Sequence, residues 1–278
     1  MREPTIIELG QGVFALCAHP PRFGHSNVGV IIEDDGITLI DSGSNVAHGR
    51  TILQLLTRIT GDPSPNVRRV VLSSSRVVFA GGTSQMRAAS ITGSKSTSDQ
   101  LDIPADPAMF RRLLPHMAAE YSQDFTTREV THVVDDPASL TSRVALIPIA
   151  GEADTNLVAH LADEDVIFLG ALGSFGVTPL LFDSDPIAWI KSLESLAEGT
   201  ELLIPGHGPP GGQADLEDMI NYLKACMDAE GDPARLAEGP WDLWSDRRFD
   251  AVNVERATMI SSGDQFVPRA MLELLGFT

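Results

Sequence analysis

Short apolar segments alternate with amphipathic helices along most of this 278-residue chain. In the first half, apolar runs at residues 28–33 and 37–41 flank Asp34-Asp35-Gly36, and an Asp-Gly turn between such runs predicts a β-hairpin. Apolar side chains then recur at helical spacing from Ile52 to Ile59, and Gly61 follows as a helix stop. Alternation of strands and helices on this scale predicts an α/β fold.

The second half has the same organisation. The acidic turn 163–165 joins two apolar runs, and Asp185 followed by Pro186 is typical of a helix start. The predicted strands here are residues 144–149, 157–161, 166–169 and 202–204, and the predicted helices lie near residues 186–196, 216–227 and 268–275. We detect no repeat and no linker, so the simplest organisation is a single domain, 1–278, with 229–278 as a C-terminal helical extension.

Charge is distributed unevenly in a chain whose formal net charge is −18. Residues 1–139 carry 12 basic and 15 acidic side chains, whereas residues 140–278 carry 8 basic and 23 acidic ones. Such an acidic surface repels phosphate backbones and anionic lipids. We therefore expect no binding to nucleic acid or to a membrane.

Composition points to a soluble globular protein, with 43% apolar and 21% charged residues. The N-terminus has no apolar stretch of signal-peptide length, and no run approaches the roughly 20 apolar residues of a membrane span. Cys17 and Cys226 lie far apart without a CxxC pair, which predicts two reduced, buried thiols. These features predict a cytoplasmic protein.

Four short segments occur in a distinctive order. They are residues 26–31 (SNVGVI), residues 39–43 (LIDSG) before a helix, Gly81-Gly82 at the end of a loop, and residues 205–209 (PGHGP) after a later strand. No segment is specific alone, but their order and spacing resemble the metallo-β-lactamase superfamily over residues 12–225. The resemblance implies a four-layer αββα sandwich, with two mixed β-sheets face to face, helices on the outer faces, and a site on loops at one edge.

The family's chemistry depends on zinc ions that activate water. A His-x-His-x-Asp-His loop, a later His, a bridging Asp and a final His hold the metal. The resemblance carries these seven positions, in chain order, onto Ser74, Arg76, Val78, Phe79, Glu152, Ala171 and His207. Valine, phenylalanine and alanine offer no lone pair, and arginine is a permanent cation. The sequence therefore predicts no metal and no other cofactor.

No His-x-His pair occurs anywhere in the chain. The remaining histidines are isolated from one another in the sequence: His19, His25, His48, His116, His132 and His160. Each is more typical of a surface or core histidine than of a metal ligand.

Ser74, Arg76 and Glu152 stand at the ligand positions of the first metal. A guanidinium can take the place of the cation and pair with the carboxylate, so we expect a direct, largely buried salt bridge between Arg76 and Glu152. This pair is either structural or a substrate anchor. Ser74 could act as a nucleophile only with His207 or Glu152 within hydrogen-bond reach; otherwise it caps the loop.

Val78, Phe79 and Ala171 stand at the ligand positions of the second metal. Their apolar groups can fill the vacated volume beside His207, which is either a remnant of the scaffold or an acid–base or substrate-binding group. Asp41 is expected to support the loop at residues 73–75 by hydrogen bonds to its backbone.

Two functions from different classes remain open. The first, which we favour because pockets in this superfamily generally receive small molecules, is a metal-independent enzyme acting on a small-molecule ligand. Its catalytic candidates are His207, Glu152, Arg76 and Ser74, and its substrate-binding candidates are Phe79, Ala171 and Asp41. The second is a non-catalytic pseudoenzyme that binds a metabolite or a partner chain, which leaves a homodimer open. An open pocket with a perturbed His207 or Glu152 would support the enzyme, and a pocket closed by Phe79 together with an apolar patch on the tail helix would support the alternative.

Overall fold

Twelve strands and eight α-helices are present in the computed structural model, which describes residues 3–87, 89–197, 199, 202–264 and 266–277. The strands are β1 (Thr5–Gly10), β2 (Val13–Cys17), β3 (Val28–Glu33), β4 (Gly36–Ile40), β5 (Val67–Val71), β6 (Ser90–Gly93), β7 (His132–Val133), β8 (Ala138–Ser139), β9 (Ala145–Ile149), β10 (Asn156–Leu161), β11 (Val166–Ser174) and β12 (Leu202–His207). The helices are α1 (Val46–Thr60), α2 (Val77–Ala80), α3 (Lys95–Leu101), α4 (Pro107–Leu113), α5 (Pro186–Leu196), α6 (Gln213–Asp228), α7 (Asp250–Ser261) and α8 (Arg269–Leu274).

The strands form two mixed sheets. The first has seven strands in the order β1-β2-β3-β4-β5-β6-β7, antiparallel from β1 to β4 and parallel from β4 to β7. The second has five in the order β12-β11-β10-β9-β8, with only β11 and β12 parallel to each other. Because β4, β5 and β11 end at the same edge of the sandwich, the loops that follow them meet there.

The two sheets pack face to face between layers of helices. Ile31 and Val71 of the first sheet share a buried apolar core with Leu157 and Phe168 of the second. Helix α1 covers the outer face of the first sheet, and α5 and α6 cover that of the second. This arrangement is the αββα sandwich that the sequence predicted.

Local signals in the sequence placed several elements correctly. Glu33 pairs with Gly36 across a two-residue turn, so the predicted hairpin is confirmed. The side chain of Asn45 caps α1, which ends at Gly61 with a φ of 73°. Asp185 accepts hydrogen bonds from the first turn of α5, as expected of a residue at a helix N-terminus.

Helix α7 was not predicted. Its buried face includes Asn253 and Arg256 beside Val252, Val254 and Ala257, so polar residues interrupt the apolar periodicity that reveals a helix. The predicted terminal helix is present as α8. Among the described residues, none of the helices combines the length and the apolar character needed to cross a bilayer.

Both cysteines are free and buried. Burial raises the pKa of the Cys17 thiol to about 11 and that of Cys226 to about 12. Since the thiolate is the reactive form, we expect both to react slowly with a disulfide reagent in the native protein at pH 8 and rapidly in denaturant. Rapid native labelling of either thiol, followed by mass spectrometry, would contradict this assignment.

Candidate functional site

A buried carboxylate joins the loops at the site edge. Asp41, directly after β4, accepts hydrogen bonds from the backbone N–H of Ser73 at 2.8 Å and from its hydroxyl at 2.8 and 2.9 Å. The Ser73 hydroxyl in turn accepts from the N–H of Ala171 at 2.9 Å. Burial raises the pKa of Asp41 to about 7, against the opposing effect of these hydrogen bonds. The expected support of the 73–75 loop by Asp41 is therefore confirmed.

The loop after β5 carries Ser74 and Arg76, and the loop after β9 carries Glu152. The Ser74 hydroxyl donates to Glu152 Oε2 at 2.8 Å, and Arg76 Nε donates to Glu152 Oε1 at 2.6 Å. The expected direct salt bridge is thus present. It is only partly buried, because the Arg76 side chain is 26% exposed and that of Glu152 is 11% exposed.

Arg76 has a second carboxylate partner in the loop between β11 and α5. Its Nη2 donates to Asp183 Oδ1, and its guanidinium lies over the ring of Phe182 at 4.9 Å. Burial works to lower the pKa of Arg76, but Glu152 and Asp183 outweigh it, so the pKa lies above its ordinary value. Arg256 of α7 holds the same loop, since Nη2 donates to the carbonyl of Asp183 at 2.9 Å.

His207, the last residue of β12, lies between aromatic rings. Phe23 and Phe79 lie 5.3 and 5.2 Å from its ring, measured between centroids. Its Nδ1 lies 3.3 Å from the carbonyl oxygen of His25, and its buried Nε2 has no hydrogen-bond partner among the described residues. Burial lowers the pKa of His207 to about 4, so the imidazole is neutral at neutral pH.

Apolar side chains occupy the remainder of the site. Val78 and Phe79 of α2 and Ala171 of β11 belong to one buried cluster with residues of the C-terminal extension. The contributing residues of the extension are Phe249, Val252, Met271 and Leu275. Phe249 also packs edge-on against Phe23 at 4.7 Å, so the extension covers the aromatic rings that enclose His207.

The residues at the expected zinc positions do not fit a zinc ion. One imidazole and one carboxylate remain, whereas a zinc site needs three or four ligands, and the carboxylate is already engaged by Arg76 and Ser74. Within the described ranges there is no group of three or more His, Cys, Asp or Glu side chains placed to hold a metal ion.

Comparison with solved structures identifies the fold. A double mutant of the sec-alkyl sulfatase PisA1 matches with a TM-score of 0.71 at 16% identity, over 94% of this chain and 50% of that chain. The metallo-β-lactamase from Hirschia baltica matches with a TM-score of 0.58 at 17% identity, over 79% of this chain and 97% of that one. The mono-zinc form of FIM-1 from Pseudomonas aeruginosa also gives a TM-score of 0.58, at 18% identity, over 78% and 93%.

These likenesses establish that the chain has the metallo-β-lactamase fold. The chain spans half the length of the alkylsulfatase and nearly the full length of the lactamases. No protein-family model matches the sequence.

The structure brings the predicted residues together in two adjoining groups. Ser74, Arg76 and Glu152 form the polar group, and Phe79 and Ala171 lie with His207 in the apolar one. Asp41 lies behind both, hydrogen-bonded to Ser73 and buried from solvent. The roles assigned to these residues in catalysis or substrate binding stay predictions.

Sequence reasoning did not find Asp183, Phe182 or Asn27. Asp183 and Phe182 lie in a loop without a motif, so no local signal marked them. Asn27 lies within the 26–31 segment and donates from Nδ2 to the carbonyls of Pro205 and Gly208 at 2.8 and 2.7 Å. The sequence feature that could have indicated this role is the position of Asn27 directly before β3, in the segment 26–31.

The unequal burial of the Arg76–Glu152 pair predicts unequal costs of removing either partner. Arg76→Ala leaves the more buried Glu152 without its cation and should lower the free energy of unfolding by about 2–3 kcal/mol. Glu152→Ala leaves Arg76 with Asp183 and should cost about 1–2 kcal/mol. The double variant should cost less than the sum, as measured by urea unfolding in a double-mutant cycle.

The exposed pair Arg58–Glu3 provides the matched control, with side chains 57% and 55% exposed. Its cycle should give a coupling of at most about 1 kcal/mol. Equal couplings for the two pairs, or strict additivity at Arg76 and Glu152, would contradict the structural importance of the inner pair.

The lowered pKa of His207 predicts a loss of stability in acid. An unfolded histidine has a pKa of about 6.5, so between pH 6.5 and 4 the unfolded chain binds more protons and His207 favours unfolding. At pH 5 this penalty is about 2 kcal/mol, and it is small at pH 7.5. We expect His207→Phe to remove this penalty. The free energy of unfolding of the variant, relative to that of wild type, should therefore be about 2 kcal/mol higher at pH 5 than at pH 7.5.

Urea unfolding at both pH values measures this difference. Asp41 and His48 also have shifted pKa values, in opposite directions, but both remain in the variant and their effects cancel in the comparison. His19→Gln, which removes an exposed histidine, is the control. A His207→Phe difference that does not change with pH would refute the assignment.

Proposed function

We propose that this chain is a non-catalytic protein of the metallo-β-lactamase fold, which acts by binding a small molecule or a partner chain away from the ancestral pocket. The enzyme favoured by the sequence needs a pocket that admits a substrate. The non-catalytic alternative requires a pocket closed by Phe79 and an apolar patch on the tail helix. The burial of Phe79 supports the first condition, and the exposed Phe266 and Phe277 on either side of α8 support the second.

The burial of the candidate site residues is the main support for this proposal. Ser74 is fully buried, and Phe79, Ala171 and His207 are each at most 5% exposed. The extension contributes Phe249 to the cluster that covers them. A reacting carbonyl would have to approach within about 3 Å of a nucleophile, and Ser74 has no exposed surface at which it could do so.

A second candidate, a metal-independent hydrolase, is supported by one contact. Ser74 lies within hydrogen-bond distance of Glu152, which is the arrangement of a nucleophile and a base. The same carboxylate is bound by Arg76, however, so it is already engaged in an ion pair. Because Ser74 is buried, such an enzyme would need the loop that carries Asp183 to move away from Arg76 and Ser74.

We also propose that the whole chain is one domain, with residues 229–278 as its C-terminal extension. Packing of Phe249, Val252 and Met271 against residues of α2 supports the placement of 229–278 in the same domain as the sandwich. The absence of nucleic-acid and membrane binding, the cytoplasmic location and a homodimer stay predictions from the sequence.

Assays with β-lactam, lactone and thioester substrates should give no turnover above background, with and without added zinc. The physical reason is the packed site together with a ligand set that cannot hold zinc. EDTA should leave the melting temperature unchanged, because no metal-binding energy contributes to folding. A metallo-β-lactamase assayed in parallel controls for substrate and zinc quality.

Zinc-stimulated turnover would overturn the proposal. Zinc-independent turnover abolished by Ser74→Ala would instead favour the second candidate. Ser142→Ala, at a serine distant from the site in the β8–β9 turn, is the matched control for that substitution.

A further inference from the structure

Basic side chains from three separate segments meet on the surface of this acidic protein. In the loop between β2 and β3, Arg22 and His25 face each other across a β-bridge. The 3₁₀ turn after α4 adds His116, whose ring packs edge-on against that of His25 at 5.5 Å. The segment before α7 adds Arg248, which donates from Nη2 to the carbonyl of Leu113, three residues before His116, at 3.0 Å. We call Arg22, His25, His116 and Arg248 the basic cluster.

The basic cluster lies outside the ancestral pocket. Phe23, between the two cluster residues of the β2–β3 loop, is buried and packs against His207 and Phe249 at 5.3 and 4.7 Å. Arg22 and His116, by contrast, are exposed. The layer of aromatic rings therefore separates the cluster from the candidate site beneath it.

The three segments are fixed relative to one another. The Asp246 carboxylate accepts from the backbone N–H of Phe23 at 2.8 Å and from Arg248 Nε at 3.3 Å. The hydroxyl of Ser245 donates to the carbonyl of Pro21 at 3.1 Å. The guanidinium of Arg248 also lies over the ring of Phe249 at 4.6 Å. A ligand would therefore meet basic groups that are already in position, which lowers the entropic cost of binding.

Hydrogen-bond donors in the cluster remain available. The side chain of Arg22 has no hydrogen-bond or ion-pair partner among the described residues, and the ring nitrogens of His116 have no hydrogen bond within the same ranges. Arg248 uses Nε and Nη2 but not Nη1 in its contacts with the described chain. His25 is buried and supports the ring of His116 without being within reach of a ligand. Two guanidiniums and one imidazole thus offer donors to the solvent.

The positive charge of the cluster exceeds its negative charge. Asp246 is the carboxylate that acts on His116, and each of its oxygens already has a donor. Burial lowers the pKa of His116 in spite of Asp246, and repulsion by Arg248 and Arg22 lowers it further. An anion bound between these groups would relieve this repulsion.

The balance of charge favours a small dianion. Two guanidiniums against one carboxylate leave one positive charge, and a proton on His116 would raise it to two. A phosphate monoester carries roughly two negative charges near neutral pH and offers three oxygens, which suit planar guanidinium donors. The net charge of −18 on the whole chain opposes the approach of a polyanion such as nucleic acid.

We propose that Arg22, His116 and Arg248 form a binding site for the phosphate group of a small phosphorylated molecule. The two arginines donate to phosphate oxygens, and His116 adds a third hydrogen bond. This site names a ligand class for the non-catalytic binding role proposed above, and in that sense it rests on the proposed function.

Titration of the full chain with inorganic phosphate, acetate and tetramethylammonium at low ionic strength tests the chemistry. Isothermal titration should show saturable binding of phosphate, binding of acetate that is weaker by on the order of tenfold, and no binding of the cation. Phosphate should also raise the pKa of His116, because a bound dianion stabilises the imidazolium. NMR titration of the histidine ring protons, assigned with His116→Gln, measures this change.

Arg22→Gln removes an exposed guanidinium that has no partner to lose among the described residues. It should weaken phosphate binding on the order of tenfold, through loss of a charge-assisted contact, and reduce the rise in the pKa of His116. The matched control is Arg87→Gln, because Arg87 is also exposed and has no ion pair in the described part of the chain, but lies in the turn before β6. This control should bind phosphate like wild type.

Three results would each overturn the site: no saturable binding of phosphate, equal affinities for phosphate and acetate, or equal losses in Arg22→Gln and Arg87→Gln. None of them changes the outcome of the hydrolase assays. Turnover in those assays would overturn the non-catalytic function but would leave the measured phosphate binding intact, so the two proposals fail separately.

Discussion

The carboxylate of Asp41 holds the site edge together. It is buried, and a buried ionised carboxylate is costly unless it is fully hydrogen-bonded. Ser73 supplies the donors through its backbone and its hydroxyl and connects the carboxylate to Ala171 on the second sheet. Asp41 adopts a φ of 66°, an uncommon conformation for a residue with a Cβ, which turns the chain sharply after β4. The loops that carry the candidate site are thus held in place by a single buried carboxylate.

Two chemically different groups of side chains make up the candidate site. On one side the guanidinium of Arg76 provides positive charge for Glu152 and Asp183, so the carboxylates stay paired. On the other side Phe79 and Ala171 remove the need for charge, and His207 is neutral among aromatic rings. Each group of side chains is consistent with its own surroundings, and neither would be stable in the place of the other. An arginine among the rings would lack a carboxylate, and a phenylalanine beside Glu152 would leave that carboxylate without a cation.

The order of strands and helices, the Asp34-Asp35 hairpin and the ends of α1 could be predicted from the sequence, because turn and cap residues act locally. The contact between Arg76 and Glu152 could be predicted as well, since the resemblance supplied a spatial relation between two residues that lie 76 positions apart in the sequence. The partnership with Asp183 could not, because it depends on the path of a loop without a motif. Helix α7 was missed for a related reason: Arg256 is buried in order to bind the carbonyls of that same loop, and a buried arginine obscures the helical pattern.

The contrast between the two ends of the sandwich follows from side-chain chemistry. At the site edge the chain places short or aromatic groups, which interdigitate and close the space. At the far edge Arg69 pairs with Glu33 and Asp35 of its own sheet, whereas Arg143 pairs with Glu164 and also donates to the carbonyls of Gln11 and Ile32 on the first sheet. These arginines are held by their partners and do not interdigitate as the apolar and aromatic groups of the site edge do. A cleft of about 1410 Å³ lies between the sheets at this edge, whereas the side chains of the candidate site are almost completely buried.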